Sequence, residues 1–307
     1  MHIGIDIGGS KINSIVLSQN KKIIVKKKVE VRSMKNRKTM IFQIFDCIEY
    51  LLNSVDRKKV KGVGIGVPGP TNITALKNVD LVKEIQRRFP VQGWSTGLAG
   101  RQASGGKIKI KIDNDANCFG LAEAILGAGK NNKIVAGLTL GTGVGGALII
   151  NKNIFHGANN KAAEFGHMTI QKDGRKCTCG NRGCLEAYIS AKGLLKTSQE
   201  IGLNISDPRD VGRLARKNNK KAIKVFHLTG EYLGIGLVNL IKILNPGIIV
   251  IGGGITENAK FIFKSAQKIV DKRVSPFLAK NTKIVRSKLG EDAGAIGAAL
   301  LFTVYPQ

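Results

Sequence analysis

Two segments of this sequence share one pattern, a short apolar strand followed by a glycine-rich turn and a second apolar strand. The first covers His2–Leu17 with its turn at Gly8–Ser10, and the second covers Ile134–Ile150 with its turn at Gly141–Gly143. Further on, apolar residues recurring at helical spacing alternate with more short apolar strands. Strands that alternate with helices predict an α/β fold, and the two hairpins indicate that its architecture is duplicated.

The length and composition favour a soluble chain with a sizeable core. The chain has 307 residues, of which 43% are hydrophobic, and this predicts two lobes. No apolar run is long enough to span a bilayer, and the N-terminal sequence lacks the pattern of a secretory signal. Three of the five cysteines are clustered, while Cys47 and Cys118 are isolated. Because that usage is typical of a reducing compartment, we expect a cytoplasmic protein without a membrane partner.

The chain is strongly basic, with 49 Lys and Arg against 21 Asp and Glu and a formal net charge of +28. Such a charge attracts anions, and nucleic acid has to be considered as a partner. The lysines, however, are scattered among Ile and Asn, and aromatic residues make up only 5% of the chain, too few for evident base-stacking surfaces. We therefore expect anionic small molecules rather than nucleic acid.

The segment 164–186 carries a cluster of metal-binding side chains. Cys177, Cys179 and Cys184 have the spacing C-x-C-x4-C, and His167 precedes them. Three thiolates and one imidazole are ligands that suit a tetrahedral Zn²⁺ ion. The alternatives are a cysteine-rich turn that only packs, or a disulfide, for which C-x-C spacing has poor geometry. The sequence predicts a structural zinc site.

Three glycine clusters each follow an apolar strand. They are Gly8-Gly9-Ser10-Lys11 after Asp6, the Gly141-Thr142-Gly143 turn, and Gly252-Gly253-Gly254. Glycine lets backbone N–H groups approach phosphate closely, although a single Gly-Gly turn is more often just a hairpin. The spacing does not fit a Walker A loop. Two such turns could hold one polyphosphate, and the third cluster could lie against adenine or ribose.

The segment Asp113–Asn117, with sequence DNDAN, lies where a predicted strand, Lys107–Ile112, gives way to a predicted helix, Asn117–Ala128. One interpretation is that an Asp or Asn there caps the helix. The segment has more acid and amide groups than a cap requires. A carboxylate that faces a hydroxyl could accept its proton during phosphoryl transfer.

Seven motifs occur in the order DIGGSK, GVPGP, DNDAN, LGTGVGG, EFGH, CTCGNRGCLE and IGGG. Together they resemble the ROK family of bacterial sugar kinases, which belongs to the actin-like and hexokinase superfamily. The resemblance runs from residue 2 to about residue 300. Repressor members of that family carry a DNA-binding winged helix before the first phosphate turn. Here that turn begins at residue 6, so the resemblance implies an enzyme.

The resemblance implies a two-lobed actin-like (ribonuclease H-like) ATPase fold with substrates in the cleft between the lobes. We expect a small lobe, residues 1–115, completed by the C-terminal helix 291–307. The large lobe would be residues 116–290 and would contain the zinc segment 164–186. A homodimer or homotetramer is expected.

The resemblance also implies roles for individual residues. Asp115 resembles the catalytic base, and Asn114 would bind a sugar hydroxyl. The other sugar contacts implied are Gly69, Glu164, His167 and Glu186. The implied site for phosphate, nucleotide and Mg²⁺ consists of Asp6, Gly8, Gly9, Ser10, Lys11, Gly141, Thr142, Gly143, Gly252, Gly253 and Gly254. The metal ligands would be His167, Cys177, Cys179 and Cys184, with His167 facing both sugar and zinc.

The sequence departs from the family pattern after the Pro-Gly-Pro segment. Family members have a hairpin there that leads to a Pro-Asn pair at the sugar. In this chain Pro70–Ile73 passes quickly toward a helix near Lys77, and Asn72 would take the place of the sugar-binding Asn. A glycine-rich segment, Gln92–Gly106, follows and is expected to be a surface loop.

The resemblance implies ATP-dependent phosphorylation of a hexose at its 6-hydroxyl, with glucose as the expected substrate. N-acetylglucosamine, N-acetylmannosamine, mannose and fructose are the alternative substrates. A different class of function, a non-catalytic sugar sensor or nucleic-acid-binding regulator, is favoured by the charge of +28 and by the missing hairpin.

Overall fold

Two units, each built on one five-stranded sheet, make up the chain. The computed structural model describes residues 1–33, 35–69, 76, 79–89, 108–279 and 281–304. The first unit consists of Met1–Ala122 and Asp292–Gln307, and the second of Glu123–Glu291. No helix in these described ranges is long and apolar enough to cross a membrane.

The first unit has its strands in the order β3-β2-β1-β4-β5. β1 pairs with β2 as an antiparallel hairpin, and β4 and β5 add to β1 in parallel. The strands are β1 (His2–Ile7), β2 (Lys11–Leu17), β3 (Ile23–Glu30), β4 (Gly62–Val67) and β5 (Lys109–Asn114). The helices are α1 (Arg37–Asn53), α2 (Leu81–Arg88), α3 (Asp115–Ile125, which continues into the second unit) and α10 (Ala293–Val304).

Helix α10 packs so closely on the first sheet that the strands beneath it need glycine. A Cβ atom on Gly64 would lie 1.8 Å from the carbonyl oxygen of Ala298, and one on Gly4 would lie 1.9 Å from that of Ala295. The small residues of α10 and the glycines of β1 and β4 therefore form one interlocked surface. The chain's C-terminal helix thereby becomes part of the first unit's core.

The second unit repeats this topology with the strand order β10-β9-β6-β7-β8. β6 and β7 form the hairpin, β8 extends β7 in antiparallel fashion, and β9 and β10 add in parallel beside β6. The strands are β6 (Ile134–Leu140), β7 (Val144–Ile150), β8 (Asn153–Ile154), β9 (Ile248–Gly252) and β10 (Lys283–Arg286). The helices are α4 (Glu186–Ile189), α5 (Ala191–Glu200), α6 (Pro208–Arg216), α7 (Lys220–Leu244), α8 (Ala259–Arg273) and α9 (Pro276–Ala279). This duplication confirms the α/β fold expected from the two hairpins.

A buried carboxylate joins the first and last segments of the second unit. Glu123 is fully buried, and its two oxygens accept hydrogen bonds from the Ala128 amide at 2.8 Å, the Ser287 hydroxyl at 2.6 Å and the Leu289 amide at 2.9 Å. A buried carboxylate that accepts three hydrogen bonds is satisfied. Glu123 thus ties the end of α3 to the segment that follows β10.

Two element boundaries differ from those predicted. β5 ends at Asn114 instead of Ile112, and α3 begins at Asp115 instead of Asn117, so the strand meets the helix within the segment Asp113–Asn117 with no residue between them. After β9, a 3-10 turn, Gly254–Asn258, leads directly into α8. The two boundaries are shifted where Asn114 Oδ1 accepts hydrogen bonds from the first amides of α3, a cap that periodicity does not show.

Candidate functional site

In the first unit, two carboxylates lie at the carboxyl ends of parallel strands. Asp6 is the last but one residue of β1 and pairs with Gly66 of β4, which pairs in turn with Asp113 of β5. Asp115 follows immediately as the first residue of α3. Open α/β sheets bind ligands at this edge, so the fold places both predicted residues where a site is expected.

The charge of Asp115 affects the ionisation of Asp6. Burial and the nearby charge of Asp115 raise the pKa of Asp6 to about 7, while Lys11 opposes the shift. The Asp6 carboxylate also lies against α10, because a Cβ on Gly294 would be 2.3 Å from Asp6 Oδ2. Asp6 is therefore a carboxyl group that changes charge near neutral pH and that a nearby cation would hold ionised.

The DNDAN segment does cap α3, as one interpretation of the sequence proposed. Asn114 Oδ1 accepts hydrogen bonds from the amides of Ala116 at 2.9 Å and Asn117 at 3.2 Å. Asp115 Oδ1 accepts from the Ala116 amide at 2.8 Å, and Asp113 Oδ1 accepts from Asn117 Nδ2 at 2.9 Å. These bonds fix the orientation of each side chain, which is also what a positioned base requires.

The first glycine turn is a tight hairpin, with the Gly8 amide donating to the Lys11 carbonyl at 2.9 Å. Gly9 and Ser10 are exposed at its tip. Among the described residues, no atom lies within 4 Å of a Cβ built on Gly69. Asn72 and the segment Gln92–Gly106 lie outside the described residues.

In the second unit, two of the three glycine clusters meet. Gly253 has φ +92°, and a Cβ on it would lie 2.2 Å from the carbonyl oxygen of Leu140. Leu140 directly precedes the turn Gly141–Gly143, which is closed by a hydrogen bond of 3.0 Å from the Gly141 amide to the Gly143 carbonyl. The segment Gly252–Gly254 is therefore held against the base of the second glycine turn.

The Glu186 carboxylate also lies on this turn, a contact that the sequence analysis missed. Its Oε2 accepts a hydrogen bond of 2.9 Å from the Val144 amide. A Cβ on Gly143 would lie only 2.7 Å from the same oxygen. The two residues are 42 positions apart, so nothing local in the sequence signals the contact.

The four predicted metal ligands lie together. Their ligand atoms are all within 4.8 Å of one another; His167 Nδ1 is 3.6 Å from Cys177 Sγ, and Cys179 Sγ is 3.7 Å from Cys184 Sγ. Around a tetrahedral zinc ion, pairs of sulfur ligands lie about 3.8 Å apart, and a sulfur and a nitrogen about 3.6 Å apart. The group can therefore hold a metal ion, and the distances suit zinc.

Burial raises the pKa of the Cys184 thiol to about 12, whereas hydrogen bonding, chiefly from the Asn181 amide, lowers the pKa of the exposed Cys179. Cys184 would thus be a neutral thiol without a cation beside it. Metal ligation by Cys184 requires the thiolate, which a divalent cation stabilises.

The loop that carries these ligands is anchored to the helices by Arg175, another residue that the sequence analysis missed. Its guanidinium donates to the carbonyls of Ala187 and Gly193, each at 3.2 Å, and to Thr197 Oγ1 at 3.0 Å. It also lies 4.6 Å from the centre of the Tyr188 ring. A single Arg in a polar loop gives no sign of these contacts in the sequence.

Glu164 directly precedes a 3-10 turn, Phe165–His167, and His167 is the last residue of that turn. Ala163, just before Glu164, has φ +64°, a conformation that costs a residue with a Cβ about 1 kcal/mol. A Cβ on Gly146 of β7 would lie 2.0 Å from the Ala163 carbonyl oxygen. The backbone just before the turn therefore packs directly on β7. This contact fixes the positions of Glu164 and His167 relative to that strand.

Comparisons with known proteins agree with this architecture. A sequence model described as the ROK family matches residues 2–304. A glucokinase from Halalkalibacterium halodurans is 31% identical over 317 residues, covering 98% of this chain and 94% of that protein. A xylose repressor from Bacillus spizizenii is also 31% identical, over 306 residues, covering 96% of this chain and 75% of the repressor.

Among solved structures, a ROK family glucokinase from Streptomyces griseus, in complex with glucose and AMPPNP, has a TM-score of 0.80 to this chain at 26% identity. The match covers 98% of both chains. The similarity therefore extends over both units and over every motif discussed above.

Proposed function

The chain belongs to the ROK family, and from that premise we propose that it transfers the γ-phosphate of ATP to the 6-hydroxyl of a hexose, with glucose as the favoured substrate. Two comparisons support a kinase of this kind: the glucokinase relative, and the structural match to a glucokinase bound to glucose and an ATP analogue.

The observation that carries the proposal is the carboxylate pair Asp6 and Asp115 at one edge of the first sheet. Two carboxyl groups in unlike environments can take different roles. Asp115 would accept the proton of the sugar hydroxyl as its oxygen attacks the γ-phosphate. Asp6, with the turn Gly8–Lys11, would hold Mg²⁺ and the phosphates, since a cation keeps its carboxyl group ionised despite burial.

The sugar contacts proposed are Asn114, Glu164, His167 and Glu186, together with the Gly69 backbone and Asn72. Because Asn114 Oδ1 already caps α3, its Nδ2 is the group offered to a sugar hydroxyl. His167 Nδ1 faces Cys177, which leaves Nε2 on the far side of the ring for the sugar. In the second unit, Gly141, Thr142, Gly143 and the segment Gly252–Gly254 would bind the nucleotide.

We propose that the ion held by His167, Cys177, Cys179 and Cys184 is zinc with a structural role. Four protein ligands fill a tetrahedral site and leave no position for a reacting water. Zinc would fix the loop on which Glu186 and His167 depend.

The test is an assay of ADP formation with ATP and a panel of neutral hexoses: glucose, mannose, fructose, N-acetylglucosamine and N-acetylmannosamine. Glucose is expected to give the highest kcat/KM. A higher kcat/KM for an N-acetylated sugar would make that sugar the assigned substrate in place of glucose, with the reaction unchanged. No sugar-dependent ADP formation with any of them would refute the proposal.

A regulatory function is the second candidate, because a xylose repressor matches the chain as well as a glucokinase does, and because the net charge is +28. A regulator of this kind would bind DNA tightly, with an affinity that falls steeply with salt, and would not turn over ATP with sugar. Measuring DNA binding at two salt concentrations beside the hexose panel separates the two functions.

A further inference from the structure

We propose that the hydroxyl of Thr178 is a positioning group that joins the metal-binding loop to the second glycine turn through the carboxylate of Glu186. Thr178 lies between the ligands Cys177 and Cys179, and Gly143 and Val144 belong to the turn. In this arrangement, the conformation of the metal-binding loop, residues 177–184, affects the geometry of the turn that the proposed function assigns to ATP.

The Glu186 carboxylate contacts both parts at once, each through a different oxygen. Oε1 accepts a hydrogen bond of 2.9 Å from Thr178 Oγ1. Oε2 accepts one of 2.9 Å from the Val144 amide and lies 2.7 Å from the position that a Cβ atom on Gly143 would take. A carboxylate held at both oxygens has one orientation, and any rotation of it moves the acceptor of the Val144 amide.

The backbone of Glu186 is fixed independently of its side chain. The Ala187 amide donates to the Cys184 carbonyl at 3.0 Å, and the Ser190 amide donates to the Glu186 carbonyl at 3.1 Å. Leu185, next to Glu186, is fully buried. The carboxylate can therefore change its contacts by side-chain rotation alone, and the hydroxyl on Oε1 opposes that rotation.

Glu186 Oε1 has a second neighbour in the same loop. Cys177 Sγ lies 3.7 Å from it, next to Thr178 in the sequence. Of the two contacts, the one from the Thr178 hydroxyl, at 2.9 Å, is the shorter. Both neighbours of Oε1 therefore belong to the segment that carries the metal ligands, so a shift of that segment displaces them together.

The other side of the turn is already fixed by backbone. The Ala191 amide donates to the Gly141 carbonyl at 2.9 Å, and Gly141 and Gly143 are bonded to each other at 3.0 Å. The bond to Glu186 is thus the side-chain contact that fixes the end of the turn at Val144. Releasing it should loosen Gly143 and Val144 more than Gly141.

The experiment uses the full-length, metal-loaded protein and compares Thr178→Val with two matched variants. Thr178→Ser keeps the hydroxyl. Thr169→Val makes the same change on an exposed threonine of the same segment, which bridges to Cys184 and is not a donor to Glu186. The readouts are metal content, hydrogen exchange of the Val144 amide, and the KM values for ATP and sugar.

Thr178→Val should keep one metal ion per chain and raise the exchange rate of the Val144 amide about two- to tenfold, the range expected for loss of one hydrogen bond of modest net strength. Thr178→Ser and Thr169→Val should match the wild type. Removing the metal from the wild type with a chelator should raise the same exchange rate. The KM for ATP should rise by a similar factor in Thr178→Val, with kcat changed less.

Unchanged Val144 exchange in metal-loaded Thr178→Val would overturn the proposal. If that variant loses its metal, Thr178→Ala takes its place, since it also lacks the hydroxyl and is smaller, and unchanged Val144 exchange in metal-loaded Thr178→Ala would likewise overturn the proposal. The expected change in the KM for ATP rests on the proposed function, whereas the expected change in hydrogen exchange of the Val144 amide does not. A wild type without kinase activity would therefore refute the function and leave the link to be judged by exchange alone.

Discussion

At the scale of single residues, a substitution of Asp115 tests the proposed chemistry most directly. Asp115→Asn keeps the side chain's size and its ability to accept from the Ala116 amide, so α3 should still form. The amide cannot take up the proton of the sugar hydroxyl. We expect kcat to fall about 10²–10⁴-fold, the usual contribution of a general base, with sugar affinity nearly unchanged.

The control for Asp115→Asn is its neighbour Asp113→Asn, which alters a carboxylate bonded to the Asn117 side chain rather than one proposed to react. It should affect stability more than turnover. Near-normal turnover in Asp115→Asn, measured with saturating sugar and ATP, would remove Asp115 from the mechanism.

Asp6 should make stability depend on pH in a direction opposite to that of most acidic residues. Its pKa is raised to about 7 by burial and by Asp115, so between pH 4 and 7 the folded protein keeps a proton that the unfolded chain has released. The free energy of unfolding must then fall as pH rises through this range. Asp6→Asn should be more stable than the wild type at pH 8, on the order of 1–4 kcal/mol, with the difference vanishing near pH 4.

This prediction is tested by chemical denaturation at pH 4.5, 6 and 8 without added magnesium or nucleotide, because a bound cation would hold Asp6 ionised. Asp46→Asn, a change at an exposed carboxylate of α1 paired with Lys27 at 2.7 Å, is the control and should alter stability by less than about 1 kcal/mol. A stability difference for Asp6→Asn that grows toward acid pH would show that the burial argument is wrong.

At the scale of elements, the metal loop should depend on its ion for both stability and sugar binding. Cys179→Ser replaces an exposed ligand, so little packing is lost apart from the metal. We expect zinc content to fall well below one per chain by elemental analysis, the melting temperature to drop, and the KM for sugar to rise. The control is Cys47→Ala, since Cys47 is a buried residue of α1 and should leave zinc content unchanged.

Full activity in a protein shown to contain no metal would exclude the proposed role of zinc. Full zinc content in Cys179→Ser, with normal KM, would instead remove Cys179 from the ligand set.

Some elements were predictable from sequence because their cause is local. The two hairpins follow from alternation and glycine turns within fewer than twenty residues, and the ligand cluster follows from the spacing of Cys177, Cys179 and Cys184. The end of β5 and the start of α3 each lie two residues from their predicted positions, because Asn114 Oδ1 caps α3 and periodicity does not show a cap.

What the sequence could not show are the contacts between residues far apart along the chain. Glu186 meets the Val144 amide across 42 residues, and Glu123 meets Ser287 across 164. In the sequence, Arg175 resembles an ordinary exposed charge. In the fold it donates hydrogen bonds to the Gly193 carbonyl and to Thr197 Oγ1. Such contacts depend on the register of the folded elements, which no short motif encodes.

At the scale of the whole molecule, the net charge of +28 should act on the two proposed substrates differently. ATP is a polyanion and hexoses are neutral, so the field of the protein should favour ATP and leave sugar unaffected. Salt screens that field, with a Debye length of about 10 Å at 0.1 M and about 3 Å at 1 M.

Raising NaCl from about 0.02 M to 0.5 M should therefore increase the KM for ATP several-fold, while the KM for glucose changes less than twofold. The sugar is the internal control, because a general effect of salt on folding or on the loop would change both constants. Equal changes in the two KM values would mean that the excess of lysine and arginine reflects composition and does not steer the nucleotide to the protein.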